Sequence, residues 1–131
     1  MPADIKYNKP GFFLTKVLNP LLILTGLLPV LSVKGRKSGK IIRTPVSPIT
    51  FEDHEYLVAP RGMTQWARNL RNAGNGQLTA SGKTKDFKAE EIKGSLRENV
   101  ISVYRKKIKY PEKEFELLPD PSDHPVFRLV Y

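Results

Sequence analysis

The chain has 131 residues, with 22 Lys and Arg against 13 Asp and Glu, and no cysteine. That length suits one domain, residues 1–131, with a core of its own. The lack of cysteine excludes a disulfide framework, a thiolate nucleophile and any Cys-ligated metal, and the net charge of +9 points to an anionic partner.

From Val17 to Val33 no residue is charged, and Leu and Ile dominate. The run is at the short limit for a membrane span, and Pro20, Gly26 and Pro29 interrupt it. Residues 10–27 are therefore read as an apolar or amphipathic helix, preceded by Lys6 and Lys9 and carrying Lys16. Two readings stand: a helix packed on the domain's own core, or one that also makes a peripheral contact with an anionic membrane surface. The expected location is the cytoplasm, at the inner face of the membrane if the second reading holds.

Val30 to Lys34 reads as the first strand. Ile41 to Ile49 is rich in β-branched residues, but Pro45 and Pro48 demote it to an edge or bulged strand. Tyr56 to Ala59 reads as a strand after a charged turn at 52–55. Thr64 is placed to cap a helix running to Ala73, stopped by Gly74. Gln77 to Ala80 and Asp86 to Ile92 flank Ser81-Gly82, a hairpin signal. Ser95-Leu96-Arg97-Glu98 has the form of a capping box, and Leu96, Val100, Val103, Tyr104 and Ile108 follow at helical spacing. Val126 to Tyr131 reads as a last strand. Many short strands with two or three helices predict a small barrel or β-rich α+β domain.

Several chemistries find no support. Gly82-Lys83-Thr84 ends like a phosphate loop, but position 77 is Gln where that loop needs Gly, and a hairpin surrounds it. No nucleophile-elbow sequence appears. His54 and His124 stand far apart, so no metal site is expected. The basic runs carry no interleaved aromatics, so nucleic acid is not an expected partner.

Two stretches hold the signal. Val33-Lys34-Gly35-Arg36-Lys37-Ser38-Gly39-Lys40 follows a strand, and its glycines permit a tight turn whose N–H groups form a concavity for phosphate oxygens. Arg36 and Lys37 add charge, Ser38 adds a hydroxyl, and Arg43 is placed to return to the same mouth. In the second stretch a strand ends at Ala59-Pro60-Arg61-Gly62 and a helix opens with the only Trp, Trp66, in its first turn. Helix N-termini attract anions and ring carbonyls. The alternatives are a basic hairpin without ligand and a Trp66 that packs in the core.

Gly35-Arg36-Lys37-Ser38-Gly39, then Arg43-Thr44-Pro45-Val46, Tyr56-Leu57-Val58-Ala59, Arg61-Gly62 and Trp66-Ala67-Arg68-Asn69-Leu70 together resemble the deazaflavin (F420)-dependent nitroreductase and quinone reductase family. The resemblance is dense from Leu31 to Leu78 and returns at His124-Pro125-Val126-Phe127-Arg128. It implies a mainly β fold, a split β-barrel of the FMN-binding type, with coenzyme F420 as cofactor. It implies hydride transfer from reduced deazaflavin to a quinone, nitro or other lipophilic acceptor.

Carried onto this sequence, it assigns Arg36, Lys37 and Ser38, supported by Arg43, to the phosphate and acidic tail of the cofactor. Pro45 and Val46 would line the ring pocket, and Ala59, Pro60, Arg61 and Gly62 would approach the deazaflavin through backbone groups. Trp66 and Asn69 would shape the helix side. Between Gly62 and Trp66 the chain lacks the second glycine and longer loop of the better-known quinone reductases. Of their acceptor-side tyrosines only Tyr104 and Tyr110 have counterparts, and these are the candidate proton donors. A non-catalytic cofactor- or lipid-binding protein of the same fold is the competing expectation.

Overall fold

The computed structural model describes residues 28–108 and 111–131. The helix expected over residues 10–27, and Tyr110, lie outside the described residues. Seven strands follow in chain order: β1 Val30–Lys34, β2 Ile41–Pro45, β3 Ile49–Phe51, β4 His54–Val58, β5 Asn75–Ala80, β6 Lys83–Ile92 and β7 Val126–Val130. Three helices accompany them: α1 Gln65–Ala73, α2 Gly94–Lys107 and α3 Glu112–Leu117, with a short 3-10 turn at Pro121–Asp123.

The strands form one antiparallel sheet in the order β2-β1-β5-β6-β7-β4-β3. Its two edge strands, β2 and β3, are neighbours in sequence, joined by Val46-Ser47-Pro48 alone. A flat sheet of seven strands would set its edges roughly 29 Å apart at the usual strand spacing. Four Cα–Cα steps reach at most about 15 Å. The sheet must therefore curl until its edges approach, which makes a split barrel. The stretch expected as one prolyl-interrupted strand is thus two strands on opposite edges, and both prolines lie where no neighbour needs their missing N–H.

Turn chemistry fixes the hairpins. Glu52 and Asp53 (φ 49 and 67) join β3 to β4, and Ser81 and Gly82 (φ 52 and 76) join β5 to β6. Two successive positive φ values give the turn whose twist matches that of paired strands.

The period of two along β4 and β7 divides the core. Leu57, Ala59, Phe127 and Leu129 face α1, where they join Leu31, Val33, Ala67 and Leu70. Tyr56, Val58 and Val126 face α2, where they meet Val100, Ile101 and Tyr104. Each fully buried large apolar side chain in these clusters contributes about 1.5–3 kcal/mol.

Helix α1 occupies the expected residues, and Gly74 closes it in the left-handed conformation (φ 75), its N–H bonded to the Leu70 carbonyl. Thr64 stands at the N-cap, but its hydroxyl makes no capping bond. The capping box is not formed either: α2 begins at Gly94, its N-cap is Lys93, and no side chain caps it. Glycine, free to take φ 68, makes the entry in its place.

Candidate functional site

The turn between β1 and β2 is built by its glycines. The Gly35 N–H donates to the Lys40 carbonyl (2.8 Å), and the Gly39 N–H donates to that of Gly35 (3.0 Å). Gly39 takes φ 74, and a Cβ on Gly35 would stand 2.9 Å from Ile42 Cδ1 and 3.0 Å from Ser38 Oγ. Lys40 N–H donates to Ser38 Oγ (3.2 Å), which turns the serine back into the loop.

This turn is fastened to α1. Asn69, only 2% exposed, accepts on Oδ1 from both the Arg36 backbone N–H (3.1 Å) and Arg36 Nη1 (2.7 Å). Arg36 Nη2 donates to Gln65 Oε1 (2.8 Å). Gln65 and Asn69 lie four residues apart on one helix face, matching the two prongs of the guanidinium fork. Gln65 was not among the expected site residues; its spacing from Asn69 was the signal.

Among the described residues the charge of Arg36 has no carboxylate beside it. Three other arginines each meet an acid: Arg71 with Glu91 (2.6 Å), Arg128 with Glu90 (2.9 Å) and Arg105 with Glu112. Those acids hold the Arg105 and Arg128 guanidinium pKa values up. The Arg36 pKa is instead lowered, first by burial and then by the nearby charge of Arg68. Arginine remains protonated regardless, so two cations stand together here.

Between this turn and the C-terminal end of α1 lies a cleft of about 640 Å³. Lys34, Arg36, Lys37 and Ser38 line one side and Asn72 and Asn75 the other, with no acidic residue among the described residues. The N–H groups of Lys37 and Ser38 have no acceptor among the described residues. Adjacent free N–H groups, a hydroxyl and ammonium groups make a donor set for phosphate or carboxylate oxygens. A smaller hollow of about 370 Å³ against α2 mixes Glu98 and Glu112 with Arg105 and Lys106, so it has no such bias.

The other expected residues divide. Pro45 is half-buried, Val46 is buried and its N–H is bonded to the Pro29 carbonyl (2.9 Å), which puts both at the seam between the sheet edges. Ala59 is fully buried, with its N–H on the Pro125 carbonyl (2.9 Å). Its own carbonyl accepts from Gly62 N–H (3.1 Å). Pro60 and Arg61 are half-buried, Gly62 is buried with φ 87, and together they carry the chain from β4 into α1. Trp66 packs half-buried against the core with its ring 6.2 Å from that of Phe127.

Arg43 is not brought to the mouth. It pairs with Ser32, while its neighbour Ile42 pairs with Val33 on the α1 face. Cross-strand partners share a face, so Arg43 projects from the opposite side of the sheet. Tyr104 is also on the far face, 2% exposed, its ring 6.0 Å from Phe115. The Gly35–Gly39 turn and α1 lie on the other face of the sheet.

His124 is a structural participant that the sequence reading did not place in the site. Its buried ring sets Nδ1 2.9 Å from the Ala59 carbonyl and Nε2 2.5 Å from that of Leu118. The C-terminal segment is thereby tied to the turn that precedes α1. No group of three or more metal-ligating side chains is present among the described residues. No helix among them is long and apolar enough to cross a membrane.

Solved structures share this fold. An F420-H2 dependent reductase, FDR-A, aligns with a TM-score of 0.61 at 20% identity, over 78% of this chain and 92% of its own. A putative 5-nitroimidazole antibiotic resistance protein from Bacteroides thetaiotaomicron aligns at 0.57 and 12%, over 87% of this chain and 78% of its own. A heme binding protein from Mycobacterium smegmatis gives 0.57 and 16%, over 82% of this chain and 47% of its own. No curated protein matches the chain at a significant level. The sequence model of the F420H(2)-dependent quinone reductases matches residues 22–114; the chain belongs to that family, and it is an F420H2-dependent reductase whose cofactor is coenzyme F420.

Proposed function

We propose that this reductase passes the hydride of reduced F420 to a quinone, a nitro compound or another lipophilic acceptor. The observation that carries the site assignment is the cationic turn: Arg36 and Lys37, beside Arg68, with no carboxylate among the described residues that line the cleft. Cations placed together repel one another, and an anionic ligand relieves that cost. Its phosphate and acidic tail fit the donor set of Lys34, Lys37, Ser38 and the free loop N–H groups.

The deazaflavin supplies the hydride chemistry when bound. The chain's own part is binding and orientation. The Gly35–Gly39 turn takes the anionic end, and the Ala59–Gly62 turn and Trp66 stand toward the ring end. Pro45 and Val46, at the seam between the sheet edges, would line the ring pocket. Helix α1 is common to both: its Gln65 and Asn69 hold the Gly35–Gly39 turn, and the Ala59–Gly62 turn leads into its first residue.

Titration of the purified protein with F420, FMN and NADPH in parallel tests the reading. Selective binding of F420, followed by oxidation of F420H2 with a menadione-like quinone or a nitroarene, is the expected result. F420 binding with no turnover of quinone or nitroarene would refute the proposed acceptor class. A peripheral contact of residues 10–27 with anionic membrane in the cytoplasm is part of this proposal and rests on their sequence alone. Flotation with anionic vesicles at low and high salt tests it, and no flotation in either condition would refute it.

A further inference from the structure

We propose that Arg36 is a positioning residue: it braces the Gly35–Gly39 turn against α1 through Asn69 and Gln65, and leaves the cofactor's anion to Lys37, Ser38 and the free N–H groups of the turn. This rests on the reading of the cleft as the F420 anion site.

The geometry separates the two roles that a basic residue in such a turn could have. The guanidinium of Arg36 is engaged on two prongs, by Asn69 Oδ1 at 2.7 Å and Gln65 Oε1 at 2.8 Å. Its backbone N–H meets the same Asn69 oxygen at 3.1 Å. One buried amide oxygen therefore holds both the main chain and the side chain of a single turn residue. These acceptors are neutral, so the interaction fixes position without cancelling charge. Lys37 and Ser38 carry the opposite pattern: both are exposed, and their N–H groups are unbonded among the described residues. A turn with two glycines is costly to hold in one conformation, because glycine loses the most backbone freedom on ordering. Holding it before the ligand arrives lowers the entropy lost on binding.

A brace and a charge partner respond differently to substitution. Lysine keeps the charge but has no planar fork to span Asn69 and Gln65. Under the proposal, Arg36→Lys weakens F420 binding about as much as Arg36→Ala, by roughly ten-fold, the worth of one charge-assisted hydrogen bond. The slope of log Kd against log salt stays at the wild-type value in Arg36→Lys, which keeps the charge at the cleft while losing the brace. Asn69→Ala adds less than about two-fold to the Arg36→Ala defect, since partners in one interaction are not additive.

The experiment combines fluorescence titrations of F420 at several salt concentrations with amide hydrogen exchange of the Gly35–Gly39 segment in cofactor-free protein. Faster exchange in Arg36→Lys and Arg36→Ala, with α1 protected as in wild type, is the expected result. The proposal is overturned if Arg36→Lys binds F420 like wild type while Arg36→Ala binds weakly with a flatter salt slope. Unchanged exchange in both variants overturns it equally. A wild-type protein that takes up no F420 refutes the reading of the cleft, and the exchange comparison then decides the brace by itself.

Discussion

His124 Nδ1 lies 2.9 Å from the carbonyl of Ala59, 65 residues earlier in the chain. That carbonyl also accepts from the Gly62 N–H at 3.1 Å, so one oxygen organises the turn that leads from β4 into α1. The ring is held from its other side by the Leu118 carbonyl and packs 4.5 Å from the Phe115 ring. Phenylalanine in place of His124 keeps the aromatic contact and deletes the ring N–H that one of the two carbonyls accepts. His124→Phe should cost about 1–3 kcal/mol of stability, the penalty for buried polar groups left unpaired. It should also weaken F420 binding through a looser Ala59–Gly62 turn. Denaturant unfolding and F420 titration check the two effects, and unchanged values in both would mean that the histidine only fills space.

Lys37 is exposed and has no ion-pair partner among the described residues. Lys37→Ala should leave the melting temperature within error of wild type, because exposed basic residues contribute little to folding. It should weaken F420 by about 1.5–3 kcal/mol if the ammonium meets a phosphate or carboxylate. The dependence of Kd on salt should flatten as well. A variant that binds F420 as tightly as wild type would place the anion elsewhere.

Tyr104 is enclosed with Phe115 on the α2 face of the sheet, away from the turn that Asn69 holds. Tyr104→Phe should therefore leave kcat for quinone or nitroarene reduction within about two-fold, since the ring keeps its packing on the face away from that turn. Tyr104→Ala should destabilise by about 3–5 kcal/mol, as large-to-small aromatic changes in cores do. A large drop in kcat with the phenylalanine variant would restore the phenol as a proton donor.

Most strands and α1 were legible because their signals are local. Val33-Lys34-Gly35 marks the end of a strand, and Gly74 marks the end of a helix, with no help from distant residues. The split of the Ile41–Ile49 run between opposite sheet edges was not legible, because strand order is set by pairing with β1 and β4, far away in sequence. Arg43 was misplaced for a related reason. One residue of register decides the face of a strand, and a glycine turn conceals that register. The Arg36–Asn69 contact joins residues 33 positions apart. The sequence motif contained both residues but not their attachment to each other.

Tyr131 donates its phenol to Glu55 and lies edge-on to Phe87, and its pKa is raised, first by burial and then by the Glu55 carboxylate. The folded state therefore keeps this proton at pH values where the unfolded chain loses it. Stability from this group is present in full below the ordinary phenol value of 10 and falls as pH rises above it. Tyr131→Phe should remove part of the alkaline loss of stability between pH 10 and 12, while wild type and variant show parallel curves below pH 9. Urea midpoints across that range check it, and parallel curves throughout would refute the linkage.

The two glycines of the basic turn should fail for different reasons, and that difference can be measured. A methyl on Gly35 meets the tip of Ile42 at 2.9 Å, Ser38 Oγ at 3.0 Å and the Lys40 carbonyl at 3.3 Å. Ile42 is itself 42% exposed on an edge strand, so its tip has room to move or be removed. A methyl on Gly39 meets nothing closer than Lys34 Cε at 3.8 Å, but φ 74 strains any residue with a Cβ. Gly39→Ala should therefore cost about 1–2 kcal/mol, the penalty of the left-handed region, whatever surrounds it. Gly35→Ala should displace Ser38 and weaken F420 binding, and a second change, Ile42→Ala, should recover part of that loss by clearing the nearest atom. The same Ile42→Ala change should do nothing for Gly39→Ala. Four F420 titrations, one for each single glycine variant and one for each combination with Ile42→Ala, decide the matter. Rescue of both glycine variants, or of neither, would show that the turn is not shaped by the Gly35–Ile42 approach.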